Sequence, residues 1–243
     1  MRRIAFSYGV LGGLSLLTFY ADGRTQTEAP PATVETIPST LRAFIVQDGR
    51  FLPSTMDGKV QRDPRDRSGK IHCYVCEYGL SPVFIVFLRA DPKQITADTV
   101  LGKLIRDLDA IMPKYRADKL NGLILFLRTD AGEKAVKFTD ENGGETAVTA
   151  DKEYPDDENR DRYVQEIKDW IQAMKIANIP VGLAPITSKS LKAWGVHDKD
   201  AVTLVVYRRL KHLAPPWHFA APGDLNEEQA KTILQTIISA TRY

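Results

Sequence analysis

Residues 82–88, Pro82-Val83-Phe84-Ile85-Val86-Phe87-Leu88, form an unbroken apolar run of strand length, rich in β-branched and aromatic side chains. A strand with one wet face alternates polar and apolar residues; a run without alternation is covered on both faces, as at the centre of a layered α/β sheet. Just downstream, Leu101, Leu104, Ile105, Leu108, Ile111 and Met112 recur at helical spacing, with Asp98 read as the cap. Residues 122–127, Gly-Leu-Ile-Leu-Phe-Leu, give a second buried strand. Strand, helix and strand together predict a crossover unit with parallel strands.

Working outward, Val164, Ile167, Ile171 and Met174 mark another helix, and residues 181–184 a short strand. Residues 188–194 read as a short helix stopped by Gly195, and residues 202–207 as a strand paired with residues 217–220. A last helix is predicted over residues 225–240, with Asp224 and Glu227 as its capping box. Upstream, Phe44–Val46 and Arg50–Leu52 flank Asp48-Gly49, a hairpin signal. The order is a hairpin followed by β-α-β-α-β-α-β-β-α. This order, with SLKAWGV before AVTLVVY and DLNEEQAKTILQTI at the end, resembles the thioredoxin-like superfamily over residues 70–241. Its peroxiredoxin-type branch, with an extra helix and strand in mid-chain, is the nearer pattern. The resemblance implies an α/β three-layer sandwich around a central mixed sheet, here with an N-terminal β-hairpin extension.

In that superfamily the reactive cysteine lies just after the first central strand, and a cis-proline or an arginine enters the later strand. Here the first place holds Arg89-Ala-Asp-Pro-Lys-Gln-Ile95 and the second Asp200-Ala201, so peroxidase chemistry of the family type is not expected.

Composition narrows the rest. A chain of 243 residues, 43% hydrophobic and 26% charged, buries a core without a framework of disulfides. A net charge of +2 gives no electrostatic case for nucleic acid or an anionic membrane. Two cysteines alone exclude a four-thiolate zinc site or iron–sulfur cluster, and no cofactor is predicted. Arg2 and Arg3, an apolar stretch from Ile4 to Tyr20 and the small residues Ala21 and Gly23 read as a signal peptide over 1–23. The expected destination is the periplasm or the exterior, with no stable span in the mature chain; an uncleaved N-terminal anchor is the alternative. Residues 24–40 read as a flexible tether and 41–243 as the domain. The charge runs at 61–70 and 151–162 read as solvated loops.

The one chemical motif is His72-Cys73-Tyr74-Val75-Cys76. Two intervening residues let a second thiol attack a mixed disulfide formed by the first, so Cys73 and Cys76 are the candidate catalytic residues, with a protein thiol or disulfide as partner. Because the pair precedes the strand at 82–88, the resemblance places it at the N-terminal end of the sheet. The segment after Cys76 is too short for a substantial helix, and Glu77 is expected to raise a neighbouring thiol's pKa. Three readings are open: an exchange dithiol, a static disulfide in a non-catalytic binding or structural module, and a copper or zinc site on His72, Cys73 and Cys76 with a ligand from elsewhere. His197, His212 and His218 show no ligand spacing and read as surface or packing histidines. Trp170 and Trp194 read as core, Trp217 as core or a partner contact, and Gly143-Gly144 as a turn.

Overall fold

The computed structural model describes residues 36–50, 54–56, 59–61, 63–128, 136–139, 145–148, 157–185 and 189–242. Residues 1–23, read as a signal peptide, residues 24–35 of the stretch read as a tether, Phe51, Leu52 and Gly143-Gly144 lie outside them.

Among the described residues the main sheet has eight strands. At its centre lie β5 (Val83–Leu88), β6 (Asn121–Arg128) and β9 (Val181–Pro185), with β5 parallel to β6 and β6 parallel to β9. On the β5 side, β10 (Val202–Arg208) runs antiparallel to β5 and carries the short strands β11 (Lys211–His212) and β12 (Trp217–Phe219). On the β9 side come β1 (Arg42–Gln47) and then β4 (Ile71–Cys73), both antiparallel to their neighbours. Two separate hairpins pair β2 (Ser54–Met56) with β3 (Lys59–Gln61), and β7 (Val136–Thr139) with β8 (Glu145–Val148).

Every residue of β5 is buried, and alternate residues belong to different cores. Phe84, Val86 and Leu88 pack with α2 (Val100–Ile111), α3 (Asp157–Met174) and α5 (Glu227–Ala240). Val83, Ile85 and Phe87 pack with α1 (Tyr74–Tyr78), with Leu191 of α4 (Lys189–Ala193), with Trp194 just after it and with Tyr207 of β10. Each such side chain contributes about 1.5–3 kcal/mol on leaving water. Burial on both faces is why the run at 82–88 shows no alternation. Trp170 and Trp194 are buried as expected, the Trp170 indole donating to the Ile95 carbonyl at 2.8 Å, while Trp217 is half-buried against the first core.

Several local expectations are displaced. The cap of α2 is Thr99 rather than Asp98: its hydroxyl accepts the Gly102 N–H at 3.0 Å and donates to the Thr96 carbonyl at 2.8 Å. The capping box of α5 is Asn226 with Gln229, while Asp224 accepts the Ala221 N–H and closes a preceding 3-10 turn. The strand expected after Asp48-Gly49 falls largely outside the described residues, and β1 takes its partners from elsewhere in the chain. β1 pairs with β4 and β9, and the buried Asp48 carboxylate accepts the N–H groups of Arg50 and Arg67, folding the chain back on the 63–70 loop. The acidic run at 151–162 is not all loop, since α3 begins at Asp157. Within the stretch read as a tether, Thr36 bridges Lys211 and the Ile37 side chain is buried.

Candidate functional site

The cysteine pair is built by a short edge strand running into one helical turn. Cys73 ends β4 opposite Arg42 and serves as N-cap of α1, its Sγ accepting the Cys76 N–H at 3.2 Å. Tyr74, Val75 and Tyr78 are buried, which seats the turn on the second core despite its length of five residues. The Tyr78 hydroxyl donates to the Gly122 carbonyl at 3.0 Å, tying α1 to the start of β6. Gly79 then stops the helix with φ of 56°, a left-handed conformation that a side chain disfavours. The pair thus sits where the edge strand β4 passes into α1, whose far end is fixed at the start of β6. The C-terminal end of β5 meets the approach to β10, where the Arg89 N–H donates to the Ala201 carbonyl at 2.8 Å.

Cys73 and Cys76 are joined in a disulfide, with their Cα atoms 5.4 Å apart. The two sulfurs have different surroundings. Cys73 is half-buried, and its Sγ accepts a second backbone N–H, from Leu41, at 3.4 Å. Cys76 is exposed, and its Sγ lies 3.7 Å from the Ser39 carbonyl oxygen. Both line an open cleft of about 520 Å³ with Arg42, Ile71, His72 and Glu77, and the Ile71 side chain is half-exposed beside them.

Glu77 was expected to make this neighbourhood anionic, but its charge is matched on both sides. One carboxylate oxygen is 2.7 Å from the Arg50 guanidinium and the other 2.6 Å from His72 Nε2. Burial pushes the Glu77 carboxyl up, but its hydrogen bonds and attraction to Arg50 and His72 outweigh this and hold it below its ordinary value. Arg50 stays charged despite burial, lying 3.3 Å from Asp48 and over the rings of Tyr74 and Tyr78. Burial raises the Tyr78 phenol well above its ordinary value. Arg50 lies far outside the C-x-x-C motif, and no sequence signal marks it as a neighbour. In the disulfide state neither sulfur is a thiolate, and His72 is engaged by Glu77.

The other histidines divide. His212 lies on β11, whereas His197 and His218 come together beside Asp200. Their rings stack at 4.3 Å with an interplanar angle of 11°. His197 and Asp200 are three residues apart, but His218 joins them only through the register of β12 with β10, which places it opposite Thr203. That is why spacing alone did not reveal the group.

No protein-family model matches the chain, and no curated protein sequence does. Among solved structures it is similar to a thiol:disulfide interchange protein of the thioredoxin family from Chlorobium tepidum TLS. The two share 9% identity at a TM-score of 0.44, over 87% of this chain and 99% of that one. It is also similar to peroxidoxin BcpB from Mycobacterium tuberculosis, at 9% identity and a TM-score of 0.44, over 85% and 96% of the two chains. The strand order observed here, β12-β10-β5-β6-β9 with the crossover through α2 and α5 closing the chain, is the pattern the sequence resembles. The chain has a thioredoxin-like fold whose cysteine pair joins an edge strand, β4, to the short helix α1.

Proposed function

We propose that the chain is an exported thiol–disulfide exchange protein in which the Cys73–Cys76 disulfide oxidises a partner dithiol. The observation that carries this reading is the asymmetry of the two sulfurs. Cys76 is open to attack, while Cys73 already accepts two backbone N–H groups that favour a departing thiolate. A partner thiolate attacks Cys76 Sγ, the S–S bond breaks, and its electron pair passes to Cys73 Sγ. A mixed disulfide now joins Cys76 to the partner. A second partner thiolate attacks the partner's sulfur and releases Cys76, so the partner gains a disulfide and this chain becomes a dithiol. The two partner thiol protons pass to Cys73 and Cys76, or to solvent. Exposed Ile71 supplies apolar contact beside the attacked sulfur. Arg2, Arg3 and the apolar stretch that follows support delivery to an oxidising compartment.

Brief reaction of the oxidised full chain with glutathione, acid quenching and peptide mapping test the polarity. The adduct is expected on Cys76; an adduct mainly on Cys73 overturns it. Oxidation of a reduced two-cysteine peptide should require both Cys73 and Cys76. A reduction potential below about −300 mV together with no turnover would identify a static disulfide instead.

A further inference from the structure

We propose a second site, built from residues other than those around the cysteine pair: His197, Asp200 and His218 bind a divalent first-row transition ion such as zinc. Asp200 lies in the turn before β10, with its side chain only 11% exposed. Its Oδ2 accepts the Thr203 hydroxyl at 3.2 Å and the His197 backbone N–H at 3.4 Å. The carboxylate is thus aimed by backbone and strand. Around the same oxygen stand His218 Nδ1 at 2.6 Å and His197 Nδ1 at 3.5 Å. One ligand atom from each of the three residues lies within 4.8 Å of the others.

Two nitrogens and one oxygen suit zinc, cobalt, nickel or copper rather than calcium or magnesium. Tetrahedral coordination at about 2.0–2.1 Å places ligand atoms roughly 3.3 Å apart. The His197 distance is already near that value, while the His218 contact must open by some tenths of an ångström. His197 is free to follow, because its side chain is 65% exposed. Thr203 holds Asp200 from outside the ligand set, as second partners of metal-binding carboxylates do.

The position also fits. Thr203 pairs with Phe87 and Val202 with Leu88, so the cluster sits beyond the C-terminal end of β5. In open α/β sheets that end is where ligands bind. Three protein ligands leave a fourth coordination position for water or a small anion, as in sites that act on a ligand rather than merely hold a fold. The group shares no residue with the cysteine pair, so binding needs neither reduction nor thiolate.

Untagged full chain with its disulfide intact is titrated with zinc chloride by calorimetry, and the cobalt complex is examined by visible absorption. One ion per chain is expected, with a rise in Tm on adding zinc. His197→Ala, whose exposed side chain makes a folding defect improbable, should weaken binding at least tenfold and remove the rise in Tm. Asp200→Asn and His218→Gln should do the same, while His72→Ala and His212→Ala leave binding within twofold. Absence of stoichiometric binding overturns the proposal, as does binding that survives loss of both His197 and His218. Binding that requires His72 or the reduced cysteines refutes this site and assigns the ion to the cysteine pair.

Discussion

Replacing Asp109 removes the side-chain acceptor of three consecutive N–H groups in the turn between α3 and β9. Its carboxylate, 6% exposed on the last turns of α2, accepts the backbone N–H groups of Ala177, Asn178 and Ile179 at 2.7–3.2 Å. It also accepts the Asn178 side-chain amide at 3.0 Å. In Asp109→Ala the Ile179 N–H is fully buried and keeps no partner, which costs about 1–3 kcal/mol. The N–H groups of Ala177 and Asn178 are half-buried and regain some water, so each adds about 0.5–1.5 kcal/mol. The expected loss is therefore roughly 2–6 kcal/mol, a large share of a stability on the order of 5–15 kcal/mol. Asp109→Asn keeps one acceptor oxygen but turns an N–H₂ toward donors, so its loss should be smaller than that of alanine. Urea denaturation at pH 7 measures both, and hydrogen exchange at Ile179 reports the local effect. An alanine variant within 1 kcal/mol of the parent, or an asparagine variant less stable than alanine, refutes the reasoning.

Two further outcomes follow from named contacts. Gly102→Ala adds a Cβ that would lie 1.8 Å from the Thr96 carbonyl oxygen. The helix gain of about 1 kcal/mol over glycine is smaller than the cost of moving that backbone and its Thr99 cap. Calorimetric melting should show a net loss of about 1–3 kcal/mol, and an unchanged or higher Tm contradicts the close approach. Glu77 contributes through a lowered folded-state pKa, so its stabilisation is present above pH 4.5 and is lost as pH falls from there through the folded value. Its side chain is 35% exposed, which limits the effect to under about 1 kcal/mol. The urea-midpoint difference between the parent and Glu77→Gln should shrink on acidification; a difference constant from pH 7 to pH 3 rules out the ion-pair account.

Elements buried on both faces were legible because burial writes itself into composition: β5 and β6 stand out as apolar runs, and α2, α3 and α5 as stripes of helical period. Caps slipped by one or two residues because Asp98-Thr99 and Asp224-Leu-Asn226 each offer two competent oxygens. Only the local backbone decides which reaches an N–H. β1 was assigned the wrong neighbour because its partners, residues 71–73 and 181–183, are distant in sequence and leave no turn signature. The cysteine pair stood out by its spacing, and its two sulfurs lie close enough in the fold to be bonded. The charge partner of Glu77 was not legible, because Arg50 reaches it from a different segment. The histidine group was missed for the same reason: a strand register, not a spacing, assembles it.

The central strand also carries a demand on how the chain must fold. Val83–Leu88 is a six-residue apolar segment without charge, glycine or proline, the composition that readily zips to its own kind. One of its edges is covered by β6, soon after in the chain. The other stays open until residues 202–207 arrive, because Tyr207 pairs with Val83 and Val202 with Leu88. A nascent or truncated chain ending before β10 therefore presents a bare hydrophobic strand edge. Its solubility during synthesis depends on keeping β5 unpaired, or shielded by another protein, until residues 202–207 have been made.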